Sequence, residues 1–367
     1  MTKIQNPLPL LRYWFLLPFL LFSLLAIGQD CPGDYVKFTR QSQIDSFAIL
    51  YPNCTALSGY LIIEEAEEHN IKHLDSLRRL QSIVGPVYIE FNLGLKNIDG
   101  LANVRTIDKE INIVHNPTLK NLHGLIGLKE TSRRIRIAQN YSLFDLKGLD
   151  SLRVVRGDLE ISENNNLKNL SGLDQLSSIT GGFLKISRNW ELLHLQHLSN
   201  LAYCRGISII DNDQLGDLRG LEQITFCDHG PHVIDNDRLI NLEGLQNLES
   251  IDGNIIIEGN TMLSSLEGLR NLDSIKLIFT IERNPSLVNL EGLDSLQKVG
   301  VIKIIENEQL KSLHGLDALD YAKEGVRIEK NHRLVNLQGL DSLRRLSGSL
   351  TLLQNDSLED LRGLEQL

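Results

Sequence analysis

From Val87 onwards the apolar positions of this chain recur in one fixed order. Two apolar residues flank one polar residue, as in Leu159-Glu160-Ile161, and three positions after the second comes an Asn. Leu or Ile then follows at about +3, +6, +9 and +12 from that Asn, and Gly stands at +8. The Asn falls at 92, 116, 140, 164, 189, 212, 236, 260, 284, 307, 331 and 355, in steps of 24 residues with one of 25 and two of 23. Alternation of apolar and polar residues is the signature of a strand with one face buried. Leu159/Ile161, Ile111/Ile113, Ile135/Ile137, Leu184/Ile186, Val326/Ile328 and Leu350/Leu352 all fit it. The spaced Leu residues after the Asn suit tight turns or short 3₁₀ segments.

A unit this short cannot bury its apolar face alone, so the period predicts a stack of coils. The expected fold is an all-β solenoid, a right-handed parallel β-helix of about twelve 24-residue coils. At roughly 4.8 Å per coil it is on the order of 55–60 Å long. The Asn that closes each strand is expected to bond the turn backbone and the Asn of the next coil. Gly at +8, with His197 as the exception, implies a backbone conformation or a crowding that excludes a side chain.

The ends differ from the body. Residues 29–57 read as an N-terminal cap with a short strand at 35–38 and a helix near 41–50. The solenoid spans 58–367, and its first coil, 58–84, is degenerate, with a bulge expected over 64–70. The sequence reaches Leu367 at the +12 position of its last repeat, an uncapped half coil that suggests a further segment.

Residues 1–28 read as a signal peptide: Lys3 and Arg12 precede an apolar run, Trp14 to Ile27, with a small-residue site at Ala26-Ile27-Gly28. An uncleaved anchor is the alternative. After cleavage no transmembrane segment is expected, because no other stretch has the roughly 20 apolar residues a spanning helix needs. Four cysteines in an exported chain are expected to pair. Cys31 and Cys54 bracket the cap, and Cys204 and Cys227 lie one period apart on neighbouring coils. Both pairs are expected as disulfides, with two buried thiols as the other reading of the second. The net charge of −10 argues against nucleic acid as a partner.

The order Gly-x-Leu-x-Ile-x-x-Asn-x-x-Leu-x-x-Leu-x-Gly-Leu-x-x-Leu-x-x-Ile is close to a leucine-rich repeat. Its Leu comes three residues after the Asn instead of two, as in Asn284-Pro285-Ser286-Leu287. This pattern resembles the receptor L domain, the ligand-binding β-helix of insulin and epidermal growth factor receptors. It is still more similar to bacterial secreted proteins built of such repeats, whose start reads like Asp30-Cys31-Pro32-Gly33-Asp34. The likeness covers about residues 30–367. It implies a secreted or cell-surface, outer-membrane-associated recognition module with a protein or glycan ligand.

Function must then lie in outward side chains. Most outward strand positions carry mixed charge. Ile210, Ile234 and Ile256, on three successive coils beside His232, form a candidate contact patch. Asp211, Asp213, Asp235 and Asp237 stack on one corner of the same coils, an arrangement of hard oxygen ligands that suits Ca²⁺; solvated turn acids are the plainer reading. No cofactor is expected, and no catalytic constellation stands out. The predicted function is non-enzymatic recognition. A structural or adhesive spacer of the cell envelope is the alternative, and a polysaccharide-acting β-helix enzyme a more remote one.

Overall fold

In the computed structural model, residues 31–66 and 70–367 are described; the signal-peptide reading of 1–28 and residues 67–69 of the predicted bulge lie outside them. The chain is an all-β parallel solenoid of about 13 turns. The one α-helix among the described residues, α1 (Gln41–Leu50), buries Ile44 and Phe47. Ahead of α1 the strand Tyr35–Phe38 pairs in parallel with Tyr60–Ile63.

Each coil carries two strand segments. The longer one supplies the main ladder, in which Ile111 pairs with Ile135, Leu159, Leu184 and Ile207 in turn. The shorter one, two residues in most coils, forms a second ladder that includes Thr106–Ile107, Glu130–Thr131 and Val154–Val155. In some coils the two run together, as in Ser178–Ser187 and Ser274–Glu282. Strand partners in register present like faces, so the inward Leu and Ile columns stack into one continuous core with near-zero exposure.

The asparagines run through this core fully buried from Asn92 to Asn331. Asn260 is representative. Its Nδ2 donates to the carbonyls of Val233 (2.9 Å) and Glu258 (3.0 Å), while its Oδ1 accepts the backbone N–H of Asn236 (3.0 Å). Each side chain thereby satisfies strand-end groups that the corner would otherwise orphan. The corner itself is left-handed. The residue before each Asn has φ between 52° and 68°, and Gly259 is the only glycine among them; the others include Phe91, His115 and Asp235. A left-handed non-glycine residue costs about 1–2 kcal/mol, so the ladder holds a corner that the local sequence disfavours.

The +8 glycines divide into two classes. From Gly148 onwards they have φ of 106–119°, and a Cβ on Gly268 would lie 2.0 Å from the Leu242 carbonyl oxygen. His197 sits instead in a 3₁₀ turn, Gln196–Leu198, and takes the carboxylate of Asp174 at 2.7 Å. That backbone has no positive φ, so a side chain is tolerated; Gly100 and Gly124 also lie in 3₁₀ turns, but a Cβ there would meet a carbonyl oxygen at 1.8 and 1.9 Å.

One expectation fails. Cys31 and Cys54 form a disulfide with Cα atoms 4.7 Å apart, but Cys204 and Cys227 are free, buried thiols. Both point into the core from the short-strand column, between Ile179 and Ile251. Neighbours in a parallel ladder keep their Cβ atoms close to the strand spacing of about 4.8 Å, whereas a disulfide draws them to about 3.8 Å. The two sulfurs hydrogen-bond instead, and that contact with burial pushes the Cys204 thiol well up.

Candidate functional site

The outward face of the main ladder carries three columns of side chains. Ser208, His232 and Ile256 follow one another in one column, and Ile210, Ile234 and Glu258 in the next. Ile256 therefore lies beside His232 and diagonal to Ile234, not in line with the other two isoleucines. All four predicted residues are half-buried and face outward.

A third column enlarges the patch. Phe183, Gly206 and His229 are register partners, and the Phe183 and His229 rings stack with centroids 5.4 Å apart. A Cβ on Gly206 would meet the Phe183 ring at 2.4 Å, so this glycine lets the two rings meet across it. The column exists because the coil is irregular: the register shifts at Gly206 and Ile207, and Pro231 takes the inward position opposite Ile207. Proline has no N–H for the ladder and is tolerated at such a bulge. The sequence reading missed Phe183 and His229; Gly206, outside the repeat's own glycine position, was the available signal.

Ion pairs border the patch. Lys185 meets Asp158 at 2.6 Å, Arg205 meets Asp228 at 3.0 Å, Arg188 meets Asp211 at 3.2 Å, and Arg283 meets Glu258. Burial, and then His229 alongside, holds the His232 imidazole below its usual range, which favours its neutral form. An apolar, partly aromatic centre with a charged rim is the usual anatomy of a protein contact surface.

The predicted calcium site does not assemble. Among the described residues no three or more His, Cys, Asp or Glu side chains converge as metal ligands. Asp211 turns to Arg188, and Asp237 accepts the Thr261 hydroxyl at 3.1 Å. Burial and then the neighbouring acids raise the carboxyl groups of Asp213 and Asp235. The corner is thus a set of mutually repelling carboxylates, two of which, Asp211 and Asp237, turn to separate partners.

A second aromatic group, also missed, occupies the N-terminal end of the same face. Tyr35, Tyr60 and Tyr88 lie with successive centroids 6.3 and 6.4 Å apart. The Tyr88 hydroxyl donates to Glu110 at 2.7 Å, and burial with this bond pushes its pKa up to about 12.

Residues 53–148 match the model of the receptor L domain family. The receptor L domain match begins at the end of the cap and covers the first regular coils. Among solved structures, an internalin from Listeria monocytogenes is similar at 15% identity and a TM-score of 0.46, over 89% of this chain and 86% of that one. A leucine-rich repeat protein from Bacteroides ovatus is similar at 14% identity and a TM-score of 0.32, over 87% and 78%. No curated protein matches the chain.

Proposed function

We propose that this chain is an exported, non-enzymatic recognition module that binds a protein or glycan at the cell surface through the outward face of its main ladder. The observation that carries the reading is the patch of Phe183, Ile210, His229, His232, Ile234 and Ile256, where three outward columns lose their charge together. Elsewhere the face carries cross-coil ion pairs such as Arg136 to Glu160 at 2.8 Å. The receptor L domain match fits a ligand-binding role. The Cys31–Cys54 disulfide fits an oxidising compartment. No helix among the described residues is long and apolar enough to cross a membrane.

The test is a protein and glycan array probed with the folded chain and with Ile234→Lys. Val288→Lys, an exposed apolar position on another face, is the control. A ligand lost with Ile234→Lys and kept with Val288→Lys supports the reading. A ligand bound equally by both variants rejects the patch, and the absence of any ligand favours the spacer.

A further inference from the structure

The short-strand ladder carries a second feature, independent of that patch and on another face. Arg105, Lys129 and Arg153 occupy the same position on three successive coils, one residue before the outward column of Thr106, Glu130 and Val154. All three are exposed and border one trough of about 510 Å³. Among the described residues none of the three pairs with a carboxylate. Glu130, the only acid lining the trough, is held by Arg156 at 2.7 Å. The Arg105 guanidinium lies against Gly127 of the coil that carries Lys129, and its Nη1 donates to the Ala102 carbonyl of its own coil at 2.9 Å.

Like charges directly opposite one another in a sheet are destabilising. The chain is acidic in sum, and elsewhere its cations commonly meet a carboxylate of a neighbouring coil, as Arg136 and Arg205 do. The same position in the next three coils is Ser177, Ala202 and Thr225, so this run of cations is three rungs long. An arrangement that costs stability and leaves three donors in a line suits a ligand with anions in a line.

We propose that Arg105, Lys129 and Arg153 form a binding ladder for a linear acidic polysaccharide lying parallel to the solenoid axis. The rungs repeat at about 4.8 Å, and a polymer with one carboxylate per sugar presents charges at a comparable interval. Nucleic acid carries charge far more densely, about one per 1.7 Å of duplex, and does not match the interval of the rungs.

The test uses the full chain and polygalacturonate, titrated calorimetrically at low salt, with the fully methyl-esterified polymer as the uncharged control. Arg105→Gln/Lys129→Gln/Arg153→Gln is expected to weaken binding about 10- to 100-fold and to flatten its salt dependence. Lys96→Gln/Lys120→Gln/Lys168→Gln removes the same charge from another face and is expected to change it less than about 3-fold. Because the ladder residues are exposed, their removal is expected to leave melting unchanged or slightly raised. Four results overturn the proposal: no binding to polygalacturonate, equal binding of the esterified polymer, equal losses in the two triple variants, or a single-stranded oligonucleotide bound as well as the polymer. A self-associated wild-type chain dissociated by the ladder substitutions also overturns it, since a second copy would then be the occupant.

Discussion

Truncating one rung of the asparagine ladder isolates what that ladder contributes. Asn260→Ala is the cleanest choice because the corner before it is Gly259, so no left-handed strain complicates the result. The substitution removes the acceptor of the Asn236 N–H and the donor to the Val233 carbonyl. The Glu258 carbonyl keeps a partner in the Asp235 N–H at 2.9 Å. The Val233 carbonyl, inside the paired strand, keeps its place in the ladder, so one buried donor is orphaned. The loss is about 1–3 kcal/mol. In a stack whose coils touch only their neighbours the damage is local, so hydrogen exchange is the right assay. The backbone amide of Asn236 is expected to exchange at least about 5-fold faster, with remote coils unchanged. Asn121→Ala is the control: its half-buried side chain accepts only the His123 N–H, at 3.1 Å, and its loss is expected to cost about 1 kcal/mol or less. Equal effects of the two substitutions would refute the claim that the buried ladder, and not asparagine as a turn residue, holds the coils together.

Four further outcomes follow from the geometry. Gly268→Ala meets both a φ of 115° and the Leu242 carbonyl, and is expected to destabilise by at least about 3 kcal/mol in urea unfolding. His197→Gly, in the coil built with a 3₁₀ turn, should shift the same midpoint by no more than about 1 kcal/mol. Asp213 has its folded-state carboxyl raised, so its ionisation opposes folding above that raised value, and the penalty disappears as pH falls below the unfolded value of about 3.9. Asp213→Asn is therefore expected to raise the melting temperature at pH 7 and to change nothing near pH 3. Mass spectrometry after alkylation should find no labelled cysteine in the native chain and two, Cys204 and Cys227, after unfolding without reductant; a mass without those two labels would restore the second disulfide.

The repeating fold was largely legible in the sequence because its determinants are residue types at fixed spacing. Leu159 and Ile161 announce a strand, and Asn164 and Gly172 mark its turns. What escaped depends on conformation more than on identity. The left-handed corner falls on Phe91, His115, Gln139 and Arg188 alike, since the Asn after it imposes the shape and no residue type advertises it. Sequence distance placed Cys204 and Cys227 side by side correctly. It carried no information on Cβ separation, which decides against the bond. The Ile210 and Ile234 pair was readable from alternation, but Phe183 and His229 joined them only through a register shift at Gly206. Bulges change which residues share a face without altering the repeat that reveals the coils.

The asparagine ladder also has a direction. The Oδ1 of Asn116 accepts from Asn92, and its Nδ2 reaches back to the Ile89 carbonyl at 2.8 Å, so its side chain completes the coil before it. The same one-way dependence holds where the step lengthens to 25 residues, from Asn164 to Asn189, and where it shortens to 23, from Asn189 to Asn212. A growing chain therefore seals each coil only when the next asparagine arrives, and assembly advances with a lag of one repeat behind synthesis or export. Recombination that adds or drops a unit within a residue of 24 leaves every remaining asparagine with a predecessor to complete, so the length of such a protein is free to drift while its corner chemistry stays fixed.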